Sequence, residues 1–87
     1  NNFSMRSFPN PTSGSTSLNY TIPEPGMYSL KITNSIGIES ARIFTNQLHA
    51  PGHYSINYNT GILVPGVYYL TIESGNLTET RNIVIVK

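Results

Sequence analysis

The stretch VPGVYYLTI, Val64 to Ile72, repeats a phrase that occurs twice earlier, as EPGMYSLKI from Glu24 to Ile32 and as APGHYSINY from Ala50 to Tyr58. Each copy contains Pro-Gly, in which Pro presets φ for the second position of a tight turn and Gly accepts a positive φ at the third. After the Gly, apolar side chains recur at every second position, which is the period of a half-buried strand. Three copies of a turn followed by a strand predict an all-β chain.

The spacing of the three copies is uneven. Gly26 and Gly52 are 26 residues apart, whereas Gly52 and Gly66 are 14 residues apart, which argues against a solenoid of fixed period. The copies are therefore expected to be separate strands of one domain. If their turns are of type II, each of the three glycines has a positive φ.

Turn residues and alternation divide the chain into seven expected strands, at 3–8, 15–22, 27–33, 38–45, 53–58, 67–73 and 78–86. No segment has a helical period, so the sequence predicts a seven-stranded antiparallel immunoglobulin-like β-sandwich, with a small barrel as the alternative. We expect one domain over 1–87, with 1–8 as a linker or an edge strand. The residues on the inward phase form the expected core: Leu18, Tyr20, Ile22, Tyr28, Leu30, Ile32, Ile43, Ile56, Tyr68, Leu70 and Ile72.

The composition excludes several functional classes. Charged residues are 10% of the chain and the net charge is +1, so a basic surface for nucleic acid is not expected. There is no cysteine, which excludes disulfides, thiolate zinc sites and a cysteine nucleophile. There is also no Asp, and the four Glu residues are at or near turns or strand ends, so a catalytic carboxylate pair is not expected. We expect no enzyme, no cofactor and no small-molecule substrate.

His49 and His53 have the spacing of a metal-binding pair. The Pro-Gly between them rules out a helix that would bring both rings to one side, and no third ligand is evident. We therefore interpret both as histidines of a surface loop. The tyrosines of the repeats are expected to pack in the core rather than form a platform for sugars, because they fall on the inward phase of the alternation.

Four segments, taken in order, resemble the C-terminal sorting domain of type IX secretion substrates, the Por secretion tail family. They are FPNPTSG from Phe8, IPEPGMYSLKITNSIG from Ile22, LVPGVYYLTIESG from Leu63 and RNIVIVK from Arg81. The similarity extends from residue 8 to residue 87. The motif positions that the resemblance assigns to structure are Pro9, Asn10, Pro11, Gly14, Gly26, Tyr28, Gly37 and Gly52.

Two positions depart from the pattern of that family. Thr12 follows Pro-Asn-Pro where the family often has an aromatic residue, and Arg81 opens the last strand where Lys is common. Neither change removes one of the four segments, so the resemblance still covers nearly the whole chain.

The resemblance implies a secretion signal at the end of a larger cargo protein. Such domains pass through the periplasm and are recognised by the outer-membrane type IX translocon and its shuttle proteins. A sortase-like cysteine peptidase usually cuts upstream of them, and the cargo reaches the cell surface or is secreted. We expect this domain to be monomeric. The family concentrates its recognition motifs in the last hairpin, which implies this role for Gly66, Tyr68, Arg81, Ile83, Val84, Ile85, Val86 and Lys87.

The last segment, NIVIVK, is apolar on both faces, with Ile83 and Ile85 on one side and Val84 and Val86 on the other. Either this strand lies inside the sandwich, or one face or its edge is left for the translocon, which could add a strand or cover an apolar patch. The alternative function is an immunoglobulin-like spacer, an adhesion module or a carbohydrate-binding module of an extracellular protein, in which an outward Tyr69 could stack on a sugar.

Overall fold

The strands begin and end close to the turn residues of the sequence. The computed structural model describes residues 3–75 and 77–86. It contains β1 (Ser4–Phe8), β2 (Ser15–Ile22), β3 (Gly26–Asn34), β4 (Glu39–His49), β5 (Gly52–Asn59), β6 (Gly66–Ser74) and β7 (Leu77–Ile85). Within these two ranges no helix is long and apolar enough to cross a membrane.

The seven strands form two antiparallel sheets. One sheet has the order β1-β2-β5 and the other the order β4-β3-β6-β7. This arrangement confirms the predicted seven-stranded sandwich and excludes the alternative of a single barrel. In constant-type immunoglobulin domains the fourth strand belongs to the sheet of the second and fifth. Here β4 instead pairs with β3, which leaves β1-β2-β5 as the smaller sheet.

The core lies between the sheets and contains most of the predicted residues. Two predicted members, Ile43 and Ile56, are only partly buried and pack at its margin. Ile43 lies on β4, whose register against β3 shifts, so strict alternation fails there. Ile56 lies on β5, at the edge of the smaller sheet. Among the described residues, four buried apolar side chains were absent from the predicted core: Met5, Leu63, Ile83 and Ile85.

Strand β4 is longer than predicted, ending at His49 rather than at Thr45. Asn46 has φ of 45° and donates its backbone N–H to Ser29 Oγ over 2.9 Å. The strand is therefore irregular at Asn46, but it continues to His49. His49 therefore lies on a strand and is 4% exposed. The interpretation of His49 as a surface-loop residue was wrong. His53 is exposed as expected, but it lies on β5 and not in a loop.

The Pro-Gly turns differ from the predicted type II geometry. Gly52 and Gly66 have φ of 146° and 156°, so the expected positive φ is confirmed for these two. It is wrong for Gly26, which falls outside the positive-φ range. The two values are far from the roughly +80° of the third position of a type II turn, because each of these glycines is already the first residue of a strand.

Candidate functional site

The tyrosine of each repeat closes its own Pro-Gly turn. The hydroxyl groups of Tyr28, Tyr54 and Tyr68 donate to the backbone carbonyls of Glu24, Ala50 and Val64, over 2.8, 2.6 and 2.6 Å. Each acceptor is the residue directly before the Pro, four positions upstream of the Tyr. The bond resembles the tyrosine corner of immunoglobulin-type sandwiches, in which a Tyr hydroxyl binds the backbone a few residues upstream. The first Tyr after the Pro-Gly thus has the same structural role in all three copies.

The His49 ring is enclosed by aromatic side chains between the two sheets. Its Nδ1 lies 2.9 Å from Gln47 O, which only accepts, so Nδ1 donates; Nε2 lies 2.9 Å from the Tyr20 hydroxyl and accepts from it. Burial raises the pKa of Tyr20 to about 12, with Tyr54 adding to the shift, which keeps this donor protonated. Both nitrogens are engaged, and the described residues contain no group of three or more metal-ligating side chains.

The inner face of the β6–β7 hairpin belongs to the core. Ile83 and Ile85 are 0% and 2% exposed, and they pair with Tyr68 and Gly66 of β6. Arg81 lies on the same strand, where its guanidinium is 3.2 Å from Glu79 Oε1 and donates to Thr80 O over 3.0 Å. Of the eight residues implied in recognition, Tyr68, Ile83 and Ile85 are therefore buried, and Arg81 is tied to neighbouring groups.

The opposite side of this hairpin carries an apolar surface that faces solvent. Val67 pairs directly with Val84, and Tyr69 pairs with Asn82 one step further along. Val67, Tyr69 and Val86 are 43%, 38% and 43% exposed, and Val84 is partly buried. We call Val67, Tyr69, Val84 and Val86 the β6–β7 outer face. Lys87, the last implied recognition residue, lies outside the described residues.

Two loops at one end of the larger sheet also expose apolar side chains. The pairing of Asn34 with Tyr68 brings the end of β3 to the beginning of β6. The β3–β4 loop and the segment before β6 thus lie at the same end of the larger sheet as the β6–β7 outer face. Both expose large apolar side chains, which are Ile36, Ile38, Ile62 and Val64.

The Pro-Asn-Pro motif binds the edge of β7 that faces away from β6. Asn10 Oδ1 accepts from Val84 N–H over 2.9 Å, and Asn10 Nδ2 donates to Asn82 O over 3.2 Å. The backbone of Thr12 then donates to Val84 O over 2.9 Å and accepts from Val86 N–H over 2.8 Å. We call the segment 9–12 the edge strap. The expectation that this edge is left for strand addition is wrong for the stretch from Asn82 to Val86.

Buried threonines fasten the edge strap, and Gly14 just after it, to the rest of the domain. Thr16 Oγ1 donates to Pro9 O over 3.0 Å, and Thr12 Oγ1 accepts from Gly14 N–H over 3.3 Å. Thr60, before β6, donates to Gly14 O from both its backbone and its hydroxyl. Thr12, Thr16 and Thr60 are all at most 2% exposed. No sequence signal marked Thr16 or Thr60, since isolated threonines are common on polar strand faces.

The other motif glycines lie at ends and turns of strands. Gly26 and Gly52 begin β3 and β5, far along the chain from the last hairpin. Gly37 lies in the β3–β4 loop with φ of 89°, and its N–H binds Asn34 O over 3.0 Å. The structure therefore brings Asn10, with Pro9 and Pro11 on either side of it, to β7, whereas Gly14 accepts from Thr60.

The chain matches the model of one protein family over nearly its whole length. The family is described as the secretion system C-terminal sorting domain, and the match covers residues 6–86. No curated protein and no solved structure matches the chain.

Proposed function

Because the chain belongs to the family of secretion system C-terminal sorting domains, we propose that the type IX secretion machinery recognises it through the β6–β7 outer face. The observation that carries this proposal is the outward pair of Val67 and Val84, with Tyr69 and Val86 beside it. The solvent side of an antiparallel sheet is normally polar, and contiguous exposed apolar side chains mark interaction sites.

The proposal divides the implied recognition residues into two groups. Val84 and Val86 would contact the partner, because their side chains are on the outer face. Tyr68, Ile83 and Ile85 would act indirectly, since their burial holds the hairpin in the register that presents that face. Gly66 starts β6, and Arg81 is held by Glu79, so both would also act by position. Lys87 stays a proposed contact on the strength of the resemblance.

The wider pathway follows from the family and forms part of the proposal. The partners would be the outer-membrane translocon and its shuttle proteins, with a sortase-like cysteine peptidase that cuts upstream of the domain. The domain would pass through the periplasm as a monomer and deliver its cargo to the cell surface or the medium. It would act as a signal and not as an enzyme, without nucleic acid or small-molecule substrate.

The test replaces two of the three outer-face valines, Val84 and Val86, in a fusion of residues 1–87 to a periplasmic reporter. Val84→Thr with Val86→Thr keeps the size and the β-branching but adds two hydroxyls to the proposed contact. The matched control is Thr78→Val with Thr80→Val, which changes exposed side chains of the same strand in the opposite sense. In a type IX-competent host, the Val→Thr fusion should accumulate in the periplasm, whereas the control should be exported.

Purified domains carrying the same changes supply the stability control. The Val→Thr pair should unfold at nearly the same urea concentration as the parent, because both side chains face solvent at least in part. Export of the Val→Thr fusion at the parent level would remove the outer face from recognition. Failure of the parent itself to leave the periplasm would favour the spacer, adhesion or carbohydrate-binding alternative.

A further inference from the structure

The edge strap completes the hydrogen bonding of β7 without being a strand itself. Asn82, Val84 and Val86 direct backbone groups away from β6, and the strap binds four of these groups over 2.8 to 3.2 Å. Two of the four bonds come from the side chain of Asn10. Its amide has the same donor and acceptor as a peptide group, so it takes the place of one residue of a neighbouring strand.

The prolines on either side of Asn10 limit what the strap offers to a further strand. Pro9 and Pro11 have no backbone N–H, and Pro in a sheet is confined to edges for this reason. A normal strand added to β7 would expose a new row of donors and acceptors on its far side. The strap covers the edge of β7 but presents fewer backbone donors on its far side than a normal strand would.

The stretch that the strap covers is the one that most needs covering. Asn82 to Val86 reads NIVIV, an Asn followed by four β-branched side chains, without any charge. Such a segment with a free edge readily pairs with other chains. The upstream half of β7, LTETR, carries two charged side chains instead, and charges on an edge oppose pairing. The strap thus protects the second half of β7 from pairing with another chain, and the charges protect the first half.

We propose that the edge strap is a guard that prevents a second copy of this domain from adding a strand to β7, with Asn10 as its essential residue. The guard acts on the edge of β7 and is independent of recognition through the outer face. Its removal exposes the backbone groups of Asn82 and Val84 and leaves the apolar run free to pair with the same run of another copy.

The decisive variant is Asn10→Ala in the purified 87-residue domain. The control is Asn82→Ala, which removes an amide of the same size from β7 but leaves the backbone groups that the strap binds. Amide hydrogen exchange followed by NMR should show Val84 N–H exchanging about tenfold faster in Asn10→Ala, the effect of losing one hydrogen bond, and unchanged in Asn82→Ala. Sedimentation over a concentration series should show self-association of Asn10→Ala at concentrations where the parent and Asn82→Ala do not associate.

If Asn10→Ala does not fold, Asn10→Asp tests the same guard. A carboxylate still accepts from Val84 N–H but cannot donate to Asn82 O, and its charge opposes strand addition. Val84 should therefore stay protected and the variant should not associate. Three results would overturn the guard: unchanged Val84 exchange in Asn10→Ala, faster exchange without any self-association, or fast Val84 exchange in a folded Asn10→Asp. Self-association of Asn82→Ala to the same extent as Asn10→Ala would also overturn the guard, because the loss of any side-chain amide would then have the same effect.

Discussion

At the scale of single residues, the tyrosine hydroxyls explain why the chain repeats one phrase. Each repeat Tyr binds the carbonyl before its own Pro, so the phrase is a unit of turn and strand that closes on itself. Tyr68→Phe removes only the hydroxyl and should lower the free energy of unfolding by about 1 kcal/mol, the net value of one hydrogen bond.

The matched control for Tyr68→Phe is its neighbour. Tyr69 is 38% exposed on the outer face, and Tyr69→Phe should change the free energy of unfolding by less than about 0.5 kcal/mol. Urea unfolding of both variants gives the comparison. Equal effects of the two changes would show that the bond to Val64 does not stabilise the third turn.

A second residue-scale prediction concerns alkaline pH. The pKa of Tyr20 is about 12 in the folded domain against an ordinary 10.0. Because the folded pKa is raised, the stability contributed by neutral Tyr20 is complete below pH 10 and is lost as the pH rises through 12. At pH 11 this loss should amount to about 1 kcal/mol.

Tyr20→Phe isolates that contribution. The variant lacks the bond to His49 at every pH, so it should be less stable than the parent at pH 8. It also lacks the titrating hydroxyl, so the gap between parent and variant should narrow by about 1 kcal/mol at pH 11. A gap that stays constant from pH 8 to pH 11, measured by urea unfolding, would contradict the raised pKa.

At the scale of elements, alternation predicts the strands well wherever it is regular. β2 begins and ends where predicted, and β3, β5 and β6 differ from prediction by one residue at each end. β4 is the exception, because the irregularity near Asn46 breaks the period of two and the strand resumes beyond it. Because of that break, the burial of His49 could not be predicted from the alternation of polar and apolar residues.

The core can be tested by two truncations on different strands. Leu70 is 0% exposed at the centre of β6, and Leu70→Ala should lower the free energy of unfolding by about 2 to 5 kcal/mol. Ile43 on β4 packs only at the margin of the core, so Ile43→Ala should cost about 1 kcal/mol. Urea unfolding that ranks Ile43 above Leu70 would contradict the position of the core.

The last hairpin illustrates which parts of the candidate site sequence patterns can predict. Two apolar faces on β7 follow from the letters IVIV alone, and the structure divides them into a buried inner face and a partly exposed outer face. The edge strap does not follow from any pattern of this kind. It depends on the side-chain amide of Asn10, which binds a backbone N–H 74 positions away in sequence, and alternation carries no information about such a contact.

At the scale of the whole molecule, the domain combines a closed scaffold with apolar side chains exposed at one end of the larger sheet. The Pro-Gly turns are closed by tyrosines, the edge of β7 is covered by the edge strap from Asn82 onward, and the core is shared by both sheets. The β6–β7 outer face and the two neighbouring loops together expose apolar side chains at one end of the larger sheet. A folded signal that another protein reads needs this combination of a stable body and an accessible surface.

The most direct test of that account is the location of a reporter fused upstream of residues 1–87. The fusion is expressed with a periplasmic signal peptide in a type IX-competent host and in the same host without its translocon, and both cultures are separated into periplasm, cell surface and medium. We predict that the reporter reaches the surface or the medium in the competent host and stays in the periplasm in the other. The same distribution in both hosts would contradict the account.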